Sequence, residues 1–279
     1  MMKQAKARNE LFLSVFLVVL SIAFLSPVFI VFFNSFKGKL YISDMPFQLP
    51  KAATFAGFDN YWEGIVKISF FRALGWSLFI TVFSVAVIVL FTSMTGWWIT
   101  RVKSRFTTAI YYTFAFSMIV PFQMVMFPMV KISNVLHLDN PIGIIIIYLG
   151  FGAGLSVFMF SGFVKAMPIE VEEAAMIDGC TPVHTFFGVI LPMLKPTAIT
   201  VAILNTMWIW NDYLLPYLLI GNHYKTIPIA IQYLKGGYGA IDMGAMMAML
   251  VLAIIPIILF YMTCQKYIVK GVISGAIKG

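Results

Sequence analysis

Met167–Pro196, MPIEVEEAAMIDGCTPVHTFFGVILPMLKP, decides how this chain is read, because it gathers charge and turn signals in an otherwise apolar sequence. Pro168 suits the first position of a helix, where its missing N–H costs nothing. Glu170, Glu172 and Glu173 load the first turns with negative charge, which the positive end of the helix dipole favours. Ala174 and Ala175 are strong helix formers with almost no bulk. Asp178-Gly179 stops the helix, since glycine tolerates the left-handed conformation of a C-terminal cap. Thr181-Pro182 reads as the cap and first residue of a second short helix reaching about Leu191. Pro192 and Pro196 bracket the exit. The stretch predicts a small helix–turn–helix between two hydrophobic spans, with a close-approach surface at its two alanines.

The surroundings are those of a membrane protein. Apolar residues make up 61% of the chain and charged residues 11%, with a mean hydropathy of +0.93; soluble domains average roughly 45–50% and about 25%. With 279 residues the whole chain, 1–279, is expected to form a single transmembrane domain with no added soluble domain. The net charge of +8 does not indicate nucleic-acid binding, because no basic cluster is interleaved with aromatics on a polar face. Cys180 and Cys264 are too far apart for a metal-ligand spacing. The N-terminal apolar run is too long for a signal-peptide core and lacks a small-x-small cleavage site, so it is expected to remain as a span.

Six stretches free of Lys, Arg and Glu are long enough to cross a hydrocarbon core of roughly 30 Å at about 1.5 Å per residue. They are Leu11–Phe33, Ala73–Thr100, Phe106–Val130, Pro141–Val164, Thr197–Leu219 and Met243–Gln265. Lys3, Lys6 and Arg8 precede the first; Arg101, Lys103 and Arg105 fill the turn after the second; Lys266, Lys270 and Lys278 follow the last. With an even number of spans these sites share one side, and the positive-inside rule makes it cytoplasmic. Both termini and the loop 167–196 then face the cytoplasm, where a Cys180–Cys264 disulfide is not expected. The loop Lys37–Arg72 also carries five basic residues, but it is longer and holds Asp44, Asp59 and Glu63. Its aromatics, Tyr61 and Trp62 among them, suit the headgroup level. In the last outside loop, Gly236, Gly237 and Gly239 suggest a flexible or closely packed backbone.

Enzymatic chemistry finds no foothold. No phosphate-cradling loop is present, His137, His184 and His223 are scattered without a zinc motif, and no serine has an identifiable base. No catalytic residue, metal or bound cofactor is expected, and any ATP hydrolysis belongs to a partner. Within the spans, Asp212 is the only acidic residue, in Trp208-Ile209-Trp210-Asn211-Asp212-Tyr213, with Asn205 about two turns earlier. Aromatic faces beside amide and carboxylate oxygens suit a sugar. Asp212 equally suits hydration near the end of its span, or holding a neighbouring helix. Pro27, Pro121, Pro128, Pro216 and Pro256 are expected to kink helices rather than end them, and Pro121 and Pro128, with Gln123 between them, mark a distorted helix that either lines a cavity or packs.

Glu173-Ala174-Ala175, then Asp178-Gly179, then Leu191-Pro192 at this spacing resemble the EAA loop of ABC importer permeases. Trp210-Asn211-Asp212 with Pro216, Pro121-Phe122-Gln123 with Pro128, and the tail Gln265-Lys266-Tyr267 through Gly271 and Gly275 to Lys278-Gly279 resemble the carbohydrate branch of binding-protein-dependent permeases. Gly75-Trp76-Ser77 departs from it, since the family often has Asn-Ser there; Val189 stands where Ile is usual. The resemblance implies an all-α bundle of six transmembrane helices with a cytoplasmic coupling-helix hairpin, in the plasma (inner) membrane of a prokaryote. It implies that Glu173, Ala174, Ala175, Asp178, Gly179, Cys180 and Pro192 couple to an ATP-binding cassette ATPase dimer. A second homologous permease subunit and an extracytoplasmic sugar-binding protein are the other implied partners. Gln123, Asn205, Trp210, Asn211 and Asp212 are the candidates for the sugar pathway. The competing readings are a permease of another ABC importer class, for amino acids or other small solutes, and an ion-coupled secondary transporter, which usually shows inverted repeats.

Overall fold

The computed structural model describes residues 2–221, 223–235 and 241–276; Gly236, Gly237 and Gly239 and the tail Lys278-Gly279 lie outside them. Apart from two isolated bridges, regular structure among the described residues is helical. In chain order the helices are α1 (Met2–Asn34), α2 (Lys39–Asp44), α3 (Asp59–Lys67), α4 (Phe70–Arg101), α5 (Arg105–Ser117), α6 (Phe122–Val135), α7 (Pro141–Ala166) and α8 (Glu170–Ile177). There follow α9 (Pro182–Thr185), a π turn (Phe186–Ile190), α10 (Leu191–Met193), α11 (Lys195–Asn211), α12 (Leu214–Leu219), α13 (Ile227–Gln232) and α14 (Met243–Ala276). Four of them, α4, α7, residues Glu10–Asn34 of α1 and Met243–Gln265 of α14, are each long and apolar enough to cross a bilayer. The count reaches six if α5 with α6, and Pro182–Met193 with α11, each make one bent span.

Two of the expected spans are interrupted. The third, Phe106–Val130, is broken between α5 and α6 by 109°. Pro121 disfavours helical backbone in the residue before it, and itself is extended at φ −66°, ψ 139°. It therefore starts a new helix instead of kinking one. The fifth, Thr197–Leu219, stops at Asp212, which is extended at ψ 124°; Pro216 falls in the first turn of α12, where no N–H is needed. Pro27, Pro128 and Pro256 lie inside helices, as expected. Hydroxyls along the long helices bond back to carbonyls one turn earlier, as Thr92 does to Ile88 and Thr100 to Gly96, leaving fewer polar groups bare in an apolar surrounding.

The chain divides into two compact units, residues 1–71 with 230–256 and residues 72–229 with 257–279. In the first, α1 presents Leu11, Phe12, Phe24 and most of their neighbours outward, a surface whose natural solvent is lipid. Beyond its end, the Asn60 amide donates to the carbonyls of Ser35 and Lys37, both at 2.8 Å. Phe36 packs against Phe55, Phe58 and Tyr61, while Trp62 stays exposed. Lys37 donates to the Met45 carbonyl at 2.7 Å, and burial pushes its pKa down. Lys67 bonds Glu63 at 2.8 Å and Asp242, and these contacts push its pKa up.

In the second unit, one core runs through Ile80, Ile88, Ile144, Tyr148, Phe160, Val164, Phe186, Ile190 and Leu194. Two glycines set its spacing. A Cβ on Gly96 of α4 would stand 2.7 Å from the Cβ of Phe160 on α7, and one on Gly152 of α7 would stand 2.8 Å from both Asn205 Oδ1 and Ile88 Cδ1. Close approach at small residues is how helices pack where water supplies no hydrophobic drive.

Asp242 caps α14 by accepting the Ala245 N–H at 3.2 Å. Burial alone would raise its pKa, but the Lys67 and Ala245 hydrogen bonds and the Lys67 and Lys39 charges outweigh it and hold the carboxyl below its usual value. A depressed carboxylate stabilises the fold above its unfolded pKa of about 3.9 and loses that effect as pH falls through the folded value. Asp242→Ala is therefore expected to speed amide exchange at Ala245 roughly fivefold at neutral pH, the equivalent of a cap of about 1 kcal/mol. The gap to the parent protein should close as pH is lowered through the carboxylate range.

A candidate coupling hairpin and its anchor

The hairpin begins two residues later than Pro168 suggests. Ile169 is the cap residue before Glu170, and its carbonyl accepts the N–H groups of Glu172 and Glu173. At the other end of α8, Gly179 takes φ +80°. The Gly179 N–H donates to the Met176 carbonyl and the Cys180 N–H to that of Ala175, both at 3.0 Å. This paired cap needs a residue at positive φ, which glycine provides without strain. Thr181 then accepts the His184 N–H at 3.3 Å, and Pro182 is the first helical residue. In the π turn, the Leu191 N–H reaches back five residues to the Phe186 carbonyl. The wide turn stands next to Pro192, which has no N–H to give and whose ring crowds the carbonyl four residues earlier. The chain turns by 75° on entering α11.

One side chain roots this element. Glu172 is only 3% exposed. Its Oε1 accepts from Arg101 Nε at 2.7 Å, with Nη2 also at 2.7 Å, and its Oε2 accepts from Trp97 Nε1 at 3.0 Å. The same guanidinium donates to the Met167 carbonyl, just past the end of α7, at 3.2 Å. The Trp97 ring lies 5.7 Å from that of Phe186 in the second arm. The end of α4 thus grips α7, α8 and the π turn together. Helical spacing carries Ala175 to the same buried side as Glu172 and leaves Glu173, Ala174, Asp178, Gly179 and Pro192 exposed, with Cys180 half-buried. Met176, Ile177 and Val183 add a bare apolar surface, Ile177 being 85% exposed. Sequence reading missed Glu172 and Trp97 and took Arg101 only as a flanking charge. The usable signal was the pairing of Trp97 and Arg101 four apart at the end of a span, facing a loop with three glutamates.

The polar residues proposed for a pathway separate into two kinds. Asp212 Oδ2 accepts from the hydroxyl of the fully buried Tyr148 at 3.0 Å, and Oδ1 accepts the N–H groups of Leu214 and Leu215. It joins α7 to α11 and caps α12. The buried Asn205 amide donates to Ser156 Oγ at 3.2 Å and to the Val201 carbonyl at 2.9 Å. Trp210 is buried, and Trp208 meets Tyr148 edge to face at 5.4 Å. Gln123 and Asn211 are exposed, Asn211 spending one N–H on the Met207 carbonyl. None of these groups lines the cavity of about 640 Å³ between α5, α6 and α7 or the cleft of about 560 Å³ beside Trp76 and Tyr224.

Residues 88–274, which hold the hairpin and its anchor, match the family described as "Binding-protein-dependent transport system inner membrane component". The chain belongs to this family. It is therefore a multi-pass membrane component of a transport system. Over 275 residues it is 40% identical to AmyC of Thermoanaerobacterium thermosulfurigenes, a "Probable starch degradation products transport system permease protein", covering 98% of this chain and 99% of that one. It is 33% identical over 282 residues to MsmG of Streptococcus mutans, a "Multiple sugar-binding transport system permease protein", covering 99% of this chain and all of the relative. A bacterial ABC transporter involved in import of the acidic polysaccharide alginate shares the fold, with a TM-score of 0.76 at 21% identity over 94% of this chain and 97% of that one.

For this family member, removing one partner of a buried ion pair is expected to cost about 3–5 kcal/mol, because the other charge is left stranded. Glu172→Ala and Arg101→Ala should each lower the thermal midpoint in detergent clearly, whereas Arg101→Leu with Glu172→Leu should recover most of the loss. Differential scanning fluorimetry of the three variants makes the comparison.

Proposed function

We propose that this chain is one permease subunit of an ATP-driven importer of sugars or oligosaccharides. The observation that carries the reading is the hairpin: its tip is stiffened by the Gly179 cap, its outer face is bare, and its root is locked to α4 and α7 through Glu172. A cytoplasmic ATPase dimer binds this outer face, with Glu173, Ala174, Asp178, Gly179, Met176 and Ile177 in the contact. ATP binding and hydrolysis there move the hairpin, and the buried clamp passes that movement into the spans. A second homologous permease completes the pathway, and an extracytoplasmic binding protein delivers the sugar. Both termini lie in the cytoplasm of a prokaryotic inner-membrane protein, as the basic flanks favour.

The sugar class rests on the relatives named above and on the aromatic and amide groups near the end of α11. Gln123 and Asn211, being open, are the pathway candidates that keep free polar atoms, while Asn205 and Asp212 act by holding helices in place. A secondary transporter gains nothing from a protruding hairpin of this kind.

Cys180 provides the test. In a Cys264→Ala background, an impermeant maleimide is expected to label Cys180 from the cytoplasmic side only, and bound ATPase should slow the labelling severalfold. Sugar uptake into proteoliposomes should require the ATPase and stop without it. Labelling from the outer face would refute the orientation; uptake by this chain alone, driven by a proton or sodium gradient, would refute the function.

A further inference from the structure

A cleft of about 560 Å³ lies in the second unit, lined by Arg72, Gly75, Trp76, Phe79, His223 and Tyr224. It is built, not incidental. The Ser77 hydroxyl, one residue beyond Trp76, accepts the Ile227 N–H at 2.8 Å and pins the segment that carries His223 and Tyr224 against α4. Tyr224 and Trp76 then meet nearly at right angles, 79° with ring centroids 4.9 Å apart, and Phe79 continues the wall edge to face with Trp76. Arg72, at the rim, forms no ion pair among the described residues. Gly75 opens the floor: a Cβ there would meet nothing within 4 Å. Trp76 is also where this chain departs from the asparagine its family resemblance leads one to expect.

We infer that this cleft is a binding subsite for an oligosaccharide at the outer mouth of the pathway. A sugar ring offers apolar C–H faces and a rim of hydroxyls. Two aromatic planes set at a corner, with guanidinium and imidazole N–H groups at the edge, complement both. No carboxylate lines the cleft, so it does not favour a cation. Trp76 stands roughly 37 Å along α4 from Arg101, at about 1.5 Å per residue. The cleft is therefore at the opposite end of α4 from the hairpin, on the side where substrate arrives. That placement rests on the permease reading given above.

The test uses the transporter assembled with its partner permease and ATPase in nanodiscs, without binding protein. Gly75→Cys, in a Cys180→Ala, Cys264→Ala background, places a thiol on the open floor, and its rate of reaction with an impermeant maleimide is followed. Maltotriose and raffinose are the probes. At nine times its half-protecting concentration a bound sugar slows labelling about tenfold, since protection follows 1 + [L]/Kd, and adding Trp76→Ala abolishes the slowing. If neither sugar slows labelling, or if only added phosphatidylglycerol does so, the subsite is refuted, the second result making the cleft a lipid headgroup site. Uptake by the parent transporter is measured alongside in proteoliposomes, with the binding protein supplied. Uptake without protection sinks the subsite alone, whereas absence of ATP-dependent uptake sinks the permease reading itself.

Discussion

The buried bond between Arg101 and Glu172 is the constraint on which the hairpin and its seat on α4 and α7 depend. Moving a carboxylate to 3% exposure costs several kcal/mol in desolvation, and only good geometry with further hydrogen bonds offsets it. Here the offset comes from a guanidinium that also holds the Met167 carbonyl and from the Trp97 indole. Such a site has one satisfactory arrangement. Rotating α8 about its axis would strand the charge, so the clamp fixes which residues of the helix face outward. It also makes the short helix an extension of α4 rather than a loop resting on it.

The apolar surroundings impose the rest. Where a helix is interrupted in a low-dielectric medium, its free N–H and carbonyl groups need partners. The break after α11 shows how one residue meets that demand: Asp212 caps α12 with one oxygen and holds the Tyr148 hydroxyl with the other. Asn205 performs the same kind of work one level inward, beside the close contact that Gly152 permits. A polar residue in a span is thus not by itself a substrate contact. Its functional weight depends on how many of its hydrogen-bonding sites the protein has already filled.

The hydrophobic runs made the long helices legible, and Gly179, Thr181 and Pro182 made the hairpin legible, because these features act over one or two turns. The 109° break at Pro121 and the stop at Asp212 were not legible. A proline in an apolar run kinks or ends a helix according to what its neighbours supply, and that is decided by packing. Glu172 was hidden for a related reason. It is one of three glutamates in a single helical turn, and only the position of α4 separates the buried one from the exposed ones. Among the pathway candidates, the partner of each side chain was not legible: nothing in the sequence links Asp212 to Tyr148.

Under the proposed function, the clamp carries movement between the ATPase and the spans and does not merely hold the fold. The most direct measurement is the number of sugar molecules imported per ATP hydrolysed by equal amounts of assembled transporter, comparing the parent with Glu172→Gln, which keeps the shape but removes the charge and replaces one of the two acceptor oxygens held by Arg101 and Trp97 with a donor NH2. The ratio is expected to fall severalfold while assembly and basal ATP hydrolysis persist. An unchanged ratio, with only the yield of assembled complex reduced, would contradict it.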